Sequence, residues 1–330
     1  MIETWCAIVN VFAASKTTAS RWHDAEAVLK SRGVRFETQY TGDGGNAVEL
    51  TMRACEGGFR HFIAVGGDGT IHDVLQGMMQ YLEMNAQARM SDFLLGVIPL
   101  GSGNDWIKTA GIPSEINAAA EVFADGETAF QDVVKVTLLD PDVLPEERAV
   151  QTAYMANVGG VGLDARVCVL VNQAKSQGKR GKLLYVSALV RCLINRTSSC
   201  AAVFCDGQKV FQGKFLSMSL GIGKYSGGGM RQTPDAVMDD GFVDLTIIPD
   251  LPFMKIAKEA PKLFNGKLKT VPELVTSRAR NISVIPSSGT GNPDVSAREC
   301  VEVDGEVIGL SPVSFEVLEE QLRILVPRSR

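Results

Sequence analysis

The sequence has no excess of basic residues and few histidines. Its 330 residues carry 33 Lys and Arg against 38 Asp and Glu, which gives a formal net charge of −5. Nucleic-acid binding depends on a basic face that releases counterions from phosphates, so this composition argues against a bulk nucleic-acid-binding protein. The three histidines, His23, His61 and His72, show no metal-ligand spacing and are assigned no role.

Paired cysteines and long apolar runs are also absent. The seven cysteines are odd in number and include no Cys-x-x-Cys pair, which argues against a disulfide framework or zinc knuckle and predicts a reducing compartment. No apolar run approaches the roughly 20 residues that span a bilayer, and the N-terminal stretch lacks the basic residues of a signal peptide. We therefore predict a cytoplasmic protein that touches membranes only at their surface.

The chain falls into two segments of different texture, and its 45% hydrophobic residues allow a core in each. In residues 1–131 short apolar runs alternate with helical patterns, which predicts an α/β domain with a parallel sheet. In residues 132–330 strand-like runs separated by Gly, Pro and Asp predict a mainly antiparallel β domain. Helices are predicted there at residues 162–177, 182–195 and 253–264, and the extreme C-terminus is a candidate to return to the first domain.

The stretch "VGGDGTIHDVLQG", residues 65–77, runs from an apolar strand into a helical pattern. Gly66, Gly67 and Gly69 allow backbone N–H groups to approach an anion at a helix N-terminus, where the helix dipole favours it. The charge of Asp68 would repel a phosphate unless a divalent cation lies between them, directly or through water. The loop is neither a Walker A motif nor the dinucleotide-binding fingerprint, and a strand-to-helix turn without a ligand is the alternative.

A second loop, "GVIPLGSGNDW" at residues 96–106, repeats this arrangement after the next predicted strand. Because ligands bind beyond the carboxyl ends of parallel strands, two such loops favour one shared site over two idle turns. Ser102 and Asn104 could bind a phosphate or a ribose. Asp105 could join a metal network or simply cap the following helix, and both interpretations stay open.

Together the two loops resemble the catalytic domain of the soluble diacylglycerol kinase and sphingosine kinase family, and the resemblance continues downstream. The segments "NVGGVGLDARV", "YSGGGMRQTPDAVMDDGFVDLTII" and "VEVDGEVIGLSPVSFEVLEEQLRILVP" are similar to that family's second domain in order and spacing. Gly-Gly-Asp-Gly-Thr alone also occurs in NAD kinases and resembles a phosphofructokinase loop, but the C-terminal segments do not fit those families well. The resemblance implies a phosphofructokinase- or NAD-kinase-like α/β domain followed by a β-sandwich-like domain.

The resemblance also implies roles for individual residues. ATP would be bound by Gly66, Gly67, Asp68, Gly69, Thr70, Gly101, Ser102, Gly103, Asn104 and Asp105. A water-linked Mg²⁺ network would consist of Asp68, Asp105 and Asp132. Asp240 matches a structural metal position of bacterial members. Asp304 would be the base that receives the proton of the lipid hydroxyl, and Glu306 would support it.

One segment departs from the family's pattern. Relatives usually open with Asn-Pro and a small-residue turn containing Gly, whereas this chain reads "VNVFAASKTT", which keeps Asn10 and replaces the proline with Val11. Asn10 and Lys16 are therefore predicted to be weak nucleotide contacts. Ser102, often Thr in relatives, keeps the hydroxyl.

Local sequence does not separate a catalytic Asp304 from a turn residue, because Asp-Gly between two strand-like runs is what a tight hairpin requires. The chain contains its own control in Asp206-Gly207, where only a turn is predicted. Asp240 could likewise be a turn residue, since "DDG" is a common turn sequence.

The basic stretch "QAKSQGKRGK" also has two interpretations. Its cations are Lys175, Lys179, Arg180 and Lys182. It is either a solvated loop or a contact for anionic lipid headgroups, which attract basic residues by about 1 kcal/mol each.

The sequence predicts a lipid kinase that transfers the γ-phosphate of Mg-ATP to a lipid hydroxyl, with diacylglycerol as first choice of acceptor and a sphingoid base or related lipid second. Phosphoryl transfer needs alignment and charge neutralisation, which acids and backbone donors supply. An NAD kinase is the enzyme alternative, and a lipid-binding regulator without turnover is the non-enzyme alternative. The expected partner is a membrane lipid at the bilayer surface and no nucleic acid, and a homodimer is left open.

Overall fold

The computed structural model describes residues 4–11, 18–42, 46–140, 149–179, 182–195, 198–288 and 294–328. The chain divides into two compact units. One unit is Met1–Val133 together with Glu319–Arg330, and the other is Val134–Leu318. The sequence placed the boundary between residues 131 and 132.

The first unit contains a sheet whose strands are β1 (Trp5–Val9), β2 (Phe36–Tyr40), β3 (His61–Gly66), β4 (Leu94–Pro99), β5 (Glu127–Gln131) and β17 (Leu322–Val326). Their spatial order is β2-β1-β3-β4-β17-β5. All neighbouring pairs are parallel except β17 and β5. The predicted parallel sheet is therefore confirmed, and β17 brings the C-terminal segment into it.

The helices of the first unit are α1 (Thr18–Ser31), α2 (Ala47–Glu56), α3 (Asp68–Met84), α4 (Trp106–Ala110) and α5 (Ile116–Asp125). Strands β3 and β4 are buried along their whole length, as parallel strands covered on both faces are. They pair in register, with Gly66 opposite Pro99. The two glycine-rich loops therefore leave the sheet side by side.

The second unit contains the strands β6 (Val134–Leu139), β7 (Ala149–Met155), β8 (Val158–Gly162), β9 (Ser199–Cys205), β10 (Gln208–Gly221), β11 (Val243–Pro249), β12 (Val275–Ala279), β13 (Asn281–Pro286), β14 (Cys300–Val303), β15 (Glu306–Leu310) and β16 (Val313–Val317). The main path of this sheet is β15-β14-β8-β10-β9-β13-β16-β6-β7, and β11 joins β10 to β12. All these pairings are antiparallel, which confirms the predicted β-rich domain.

The helices of the second unit are α6 (Leu163–Ser176), α7 (Lys182–Ile194), α8 (Phe253–Glu259) and α9 (Lys262–Asn265). The single helix predicted at residues 253–264 is wrong in one respect, because two short helices occupy it. Pro261 lies at the break, where a proline removes a backbone N–H and clashes with the preceding turn. None of the described helices is long and apolar enough to cross a membrane.

Candidate functional site

The two glycine-rich loops touch at the carboxyl edge of the first sheet. A methyl group on Gly67 would lie 3.0 Å from the Gly101 Cα atom, and a methyl group on Gly101 would collide with the Gly67 Cα atom. Any side chain at either position would push the two backbones apart. Glycine at both positions is therefore what allows the loops to form one continuous surface.

Asp68 ties the two loops together. Its Oδ1 accepts a hydrogen bond of 2.9 Å from the backbone N–H of Trp106, the first residue of α4. This bond satisfies one of the N–H groups that the start of a helix leaves without an intrahelical partner. Its Oδ2 faces the second loop, since a methyl group on Gly103 would lie 3.1 Å from it. Asp68 thus has a structural role that was not predicted from the sequence.

Asp105 does not cap α4, although it occupies the N-cap position. Its side chain makes no capping hydrogen bond, and the N–H of Trp106 at the start of the helix is satisfied by Asp68. The Asp105 carboxylate instead pairs with Lys108 Nζ at 2.5 Å. Its Oδ2 would lie 3.9 Å from a methyl group on Gly103, close to where Asp68 Oδ2 approaches. Two carboxylates therefore converge on the second loop.

Asp132, the third predicted member of the magnesium network, is buried, and its Oδ1 accepts a hydrogen bond of 2.8 Å from Gln321 Nε2. Across the described segments, no three Asp, Glu, His or Cys side chains form a group that could hold a metal ion directly. The predicted network depends on bridging water, and it stays a prediction.

Two asparagines contact the glycine-rich loops. Asn10 follows β1, and its Nδ2 donates to Thr70 Oγ1 at 3.2 Å, so the residue reaches the first loop without the proline that relatives have after it. Asn104 Nδ2 donates to the Gly101 carbonyl at 2.9 Å. The Asn104 Oδ1 is buried and accepts no hydrogen bond from any described residue, which makes it a candidate acceptor for a ligand. Ser102 is exposed, and Lys16 lies outside the described residues.

In the second unit, Asp304 and Gly305 form the two-residue turn between β14 and β15. Their φ angles are 52° and 94°, as a tight hairpin turn requires. Both oxygens of Asp304 accept backbone hydrogen bonds of 2.8 Å, one from Ala156 and one from Asn157. These bonds hold the carboxylate in one position at the end of β7.

The turn at Asp206-Gly207 has the same construction. Its φ angles are 47° and 77°, and the Asp206 carboxylate accepts backbone N–H bonds from Arg280 at 3.1 Å and Asn281 at 2.9 Å. Asp206 therefore does more than turn the chain, because it also holds the start of β13. Backbone geometry alone does not distinguish the two turns.

The surroundings do distinguish them, because other carboxylates gather around Asp304. Glu302 is buried, and its Oε2 accepts a hydrogen bond of 2.7 Å from the Gly305 N–H inside the turn. Burial raises the pKa of Glu302 well above its usual range against the opposing effect of that N–H, and the charges of Asp164, Asp304 and Glu306 add to the rise. Burial therefore favours the neutral form of the Glu302 carboxyl.

Asp164 begins α6 on the other side of Gly160. A methyl group on Gly160 would lie 2.8 Å from Asp164 Cβ and 2.9 Å from Glu302 Oε1, so glycine allows the two acids to approach. Burial raises the pKa of Asp164, and hydrogen bonds from Ser219, Ser217 and Gln232 oppose the rise. The sequence analysis missed both acids, although Glu302 stands in an alternating acidic run with Asp304 and Glu306.

Two further asparagines were also missed. Asn172 of α6 donates through Nδ2 to Glu306 Oε2 and to the Gly305 carbonyl, both at 3.2 Å. Asn157 donates through Nδ2 to the Tyr225 carbonyl at 2.9 Å. An asparagine in "NVGG" directly after a strand-like run was the only local signal for Asn157.

Asp240 takes part in a turn. Its Oδ1 accepts the Phe242 N–H at 3.2 Å, and its Oδ2 pairs with Arg278. A metal ion at this carboxylate would compete with the Arg278 guanidinium. The structural-metal role of Asp240 stays a prediction.

Two family models match the chain. Residues 4–136 match the diacylglycerol kinase catalytic domain. Residues 157–326, just over half of the chain, match the YegS C-terminal NAD kinase beta sandwich-like domain. The first match covers most of the α/β unit, and the second covers most of the β-rich unit and extends into β17.

Individual relatives align over most of the chain. A "Probable lipid kinase YegS-like" protein of Xanthomonas euvesicatoria is 28% identical over 276 residues, 84% of this chain and 83% of the relative. A diacylglycerol kinase of Staphylococcus carnosus is 25% identical over 307 residues, 92% of this chain and 89% of the relative. The crystal structure of a Bacillus anthracis diacylglycerol kinase superposes with a TM-score of 0.70 at 18% identity, covering 98% of this chain and 97% of that one. At that identity the likeness concerns the fold alone.

Replacing Glu302 with Gln tests whether this buried carboxyl is held neutral. A folded-state pKa raised above the unfolded value of 4.5 contributes stability that is lost as pH rises through the folded-state pKa. Gln keeps an acceptor for the Gly305 N–H and has no proton to lose. We expect the Tm of Glu302→Gln relative to wild type to increase between about pH 5 and about pH 8, measured by calorimetry.

Glu319→Gln is the control, because it removes one charge from an exposed side chain. A Tm difference between Glu302→Gln and wild type that stays constant across this pH range would contradict a neutral Glu302.

Proposed function

The chain belongs to the lipid kinase family in which a diacylglycerol kinase catalytic domain is followed by a YegS-type β-sandwich-like domain, and we propose that it phosphorylates diacylglycerol with Mg-ATP. Family membership makes it a phosphotransferase with an alcohol acceptor. The observation that carries the proposal is the contact of the two glycine-rich loops at Gly67 and Gly101, bridged by Asp68.

The first unit has the groups that a magnesium nucleotide requires. The touching loops offer a surface without side chains, and Asn104 Oδ1 is a buried acceptor that no described residue satisfies. Asp68 and Asp105 present the carboxylate oxygens that Mg²⁺ prefers. When bound, Mg²⁺ would neutralise charge on the phosphates. Asp132 would orient water around it.

Asp304 is suited to receive the proton of the acceptor hydroxyl. Its two hydrogen bonds to Ala156 and Asn157 fix the carboxylate, and each oxygen keeps a further lone pair for the hydroxyl. Burial disfavours a negative charge on Glu302 beside it. Glu306, held by Asn172, supports the same turn. We assign the base to Asp304 and a supporting role to Glu306.

The function is tested by incubating the full chain with Mg²⁺ and γ-labelled ATP against diacylglycerol, sphingosine and NAD. We expect label in diacylglycerol, because the family of the first domain and a relative named diacylglycerol kinase support that acceptor. Label in sphingosine or NAD would identify the acceptor alternatives. If no acceptor is labelled and the protein still binds lipid, the result would favour the alternative of a lipid-binding regulator without turnover.

Asp304→Asn separates the base from the turn. Asn-Gly forms the same hairpin, but the Asn side chain can accept only one of the two backbone N–H bonds, so some stability should be lost. The kcat should fall by about 10²- to 10⁴-fold through loss of the base. Asp206→Asn is the control, because Asp206 also lies in a two-residue Asp-Gly turn and its carboxylate accepts the backbone N–H groups of Arg280 and Asn281. The two short bonds to Asp206 share Oδ1, which Asn can reproduce, so the Tm of Asp206→Asn should stay closer to that of wild type. With turnover measured below both Tm values, only Asp304→Asn should lose it. Equal turnover in the two variants would mean that Asp304 acts only as a turn residue.

Two substitutions at Asp68 separate its charge from its capping bond. Asp68→Asn keeps an oxygen that can accept the Trp106 N–H, so its stability should stay near that of wild type while turnover is lost with the charge. Asp68→Ala removes the cap as well and should cost about 1 kcal/mol in urea unfolding. Near-normal turnover of Asp68→Asn would remove the proposed Mg²⁺ role.

A further inference from the structure

The segment that contains α8 and α9 is basic in an acidic protein. Between Phe253 and Thr270 the sequence has five lysines against one acid, Glu259, while the whole chain has a net charge of −5. The same segment exposes large apolar side chains at Phe253, Met254 and Phe264. Apolar side chains beside lysines, with few acids, are the composition of an interfacial membrane-binding segment.

Helix α7, elsewhere in the second unit, also exposes apolar side chains. Val186, Val190 and Ile194 are exposed and recur every four residues, so they line one face of the helix. Arg191 lies on the same exposed side, and α7 contains no acidic residue. Six of the thirteen exposed large hydrophobic residues described in the chain lie in α7, α8 and α9, which is a concentration and not scatter.

The buried sides of α7 and α8 share one apolar cluster. Leu184 and Leu189 of α7 and Ile256 of α8 pack against the same core, which α6 completes. The two exposed apolar groups therefore belong to one layer of helices within the second unit. We call the exposed residues of α7, α8 and α9 the apolar-basic surface.

The apolar-basic surface is joined to Asp304 by short contacts. Tyr185 of α7 packs against Gly227, and the Arg231 N–H donates to the Leu263 carbonyl of α9 at 2.6 Å. These helices thus flank the segment that begins at Tyr225. The Tyr225 carbonyl accepts from Asn157, whose own backbone N–H donates to Asp304. The surface and the proposed base are therefore linked through Tyr225 and Asn157 within the second unit.

We propose that the apolar-basic surface docks on an anionic lipid bilayer. The proposal rests on the proposed function, because a kinase for a membrane lipid must reach its substrate at the interface. The apolar side chains would enter the boundary between headgroups and acyl chains, and the lysines would meet anionic headgroups. The excess of positive charge in an otherwise acidic protein favours a bilayer over a second copy of this chain.

Some lysines of the surface are already neutralised by neighbours. Lys255 pairs with Glu273, Lys262 with Glu259 and Lys269 with Asp235. Lys258 and Lys267 make no ion pair within the segments that the structure describes, so they remain available to headgroups. Lys179, of the basic stretch singled out in the sequence, is exposed after α6, and Arg180 lies outside the described residues.

Vesicle sedimentation with two matched pairs of variants tests the proposal. Met254→Asp places a charge in the surface at a side chain 77% exposed, and Met84→Asp makes the same change in the first unit at one 70% exposed. Lys258→Glu is paired with Lys209→Glu, a change at an exposed lysine near the start of β10. The vesicles contain equal amounts of phosphatidylcholine and phosphatidylglycerol, and phosphatidylcholine alone is the comparison.

We expect Met254→Asp to weaken binding to the anionic vesicles by about tenfold and Lys258→Glu by about fivefold, with both controls like wild type. The binding of wild type should also fall with salt. The docking proposal would be contradicted if wild type did not bind the anionic vesicles. It would also be contradicted if the test and control variants lost equal amounts of binding.

A kinase assay separates this proposal from the proposed function. On a short-chain diacylglycerol dissolved as monomer, Met254→Asp should turn over like wild type, because no bilayer is needed, whereas on vesicles it should be slower. If wild type phosphorylates no lipid, the proposed function is wrong. The sedimentation result would still show whether the apolar-basic surface binds a bilayer. Equal rates of wild type and Met254→Asp on vesicles would overturn the docking role.

Discussion

The backbone contact between Gly67 and Gly101 is the constraint on which the candidate nucleotide site depends. It requires two adjacent parallel strands in register, glycine at both positions, and a bridge that keeps the loops together. Asp68 provides the bridge through the Trp106 N–H. The carboxylate of Asp68, which alone would repel a phosphate, is therefore needed by the fold as well as by the proposed chemistry.

Carboxylates fix backbone segments in both units. Asp68 holds the start of α4, Asp304 holds the segment after β7, and Asp206 holds the start of β13. An ionised acceptor makes stronger hydrogen bonds to N–H groups than a neutral one, so these acids position the chain with few contacts. A residue held in this way is also immobile, which is what a catalytic group needs. Structural and catalytic roles are therefore compatible in Asp68 and Asp304.

The second unit combines the proposed base with features that suit a lipid acceptor. Buried Glu302 and Asp164 surround the Asp304 turn without adding full negative charge, because burial favours their neutral forms. The apolar-basic surface lies a few contacts away through Tyr225 and Asn157. Headgroup recognition and proton removal would then be carried out by the same unit.

The sequence by itself determined the parallel and antiparallel sheets, most helices, the two Asp-Gly hairpins and the family, because alternation, helical periodicity and turn residues are local signals. Only the tertiary structure decided which backbone N–H groups each carboxylate binds and which acids are buried. The Asp68–Trp106 bond joins residues 38 apart and the Asp304–Asn157 bond residues 147 apart. Asp206 and Asp304 share the Asp-Gly dipeptide and a two-residue turn, and of the two only Asp304 has the buried Glu302 beside it. Burial and long-range pairing depend on how the strands pack, and no local spacing specifies that.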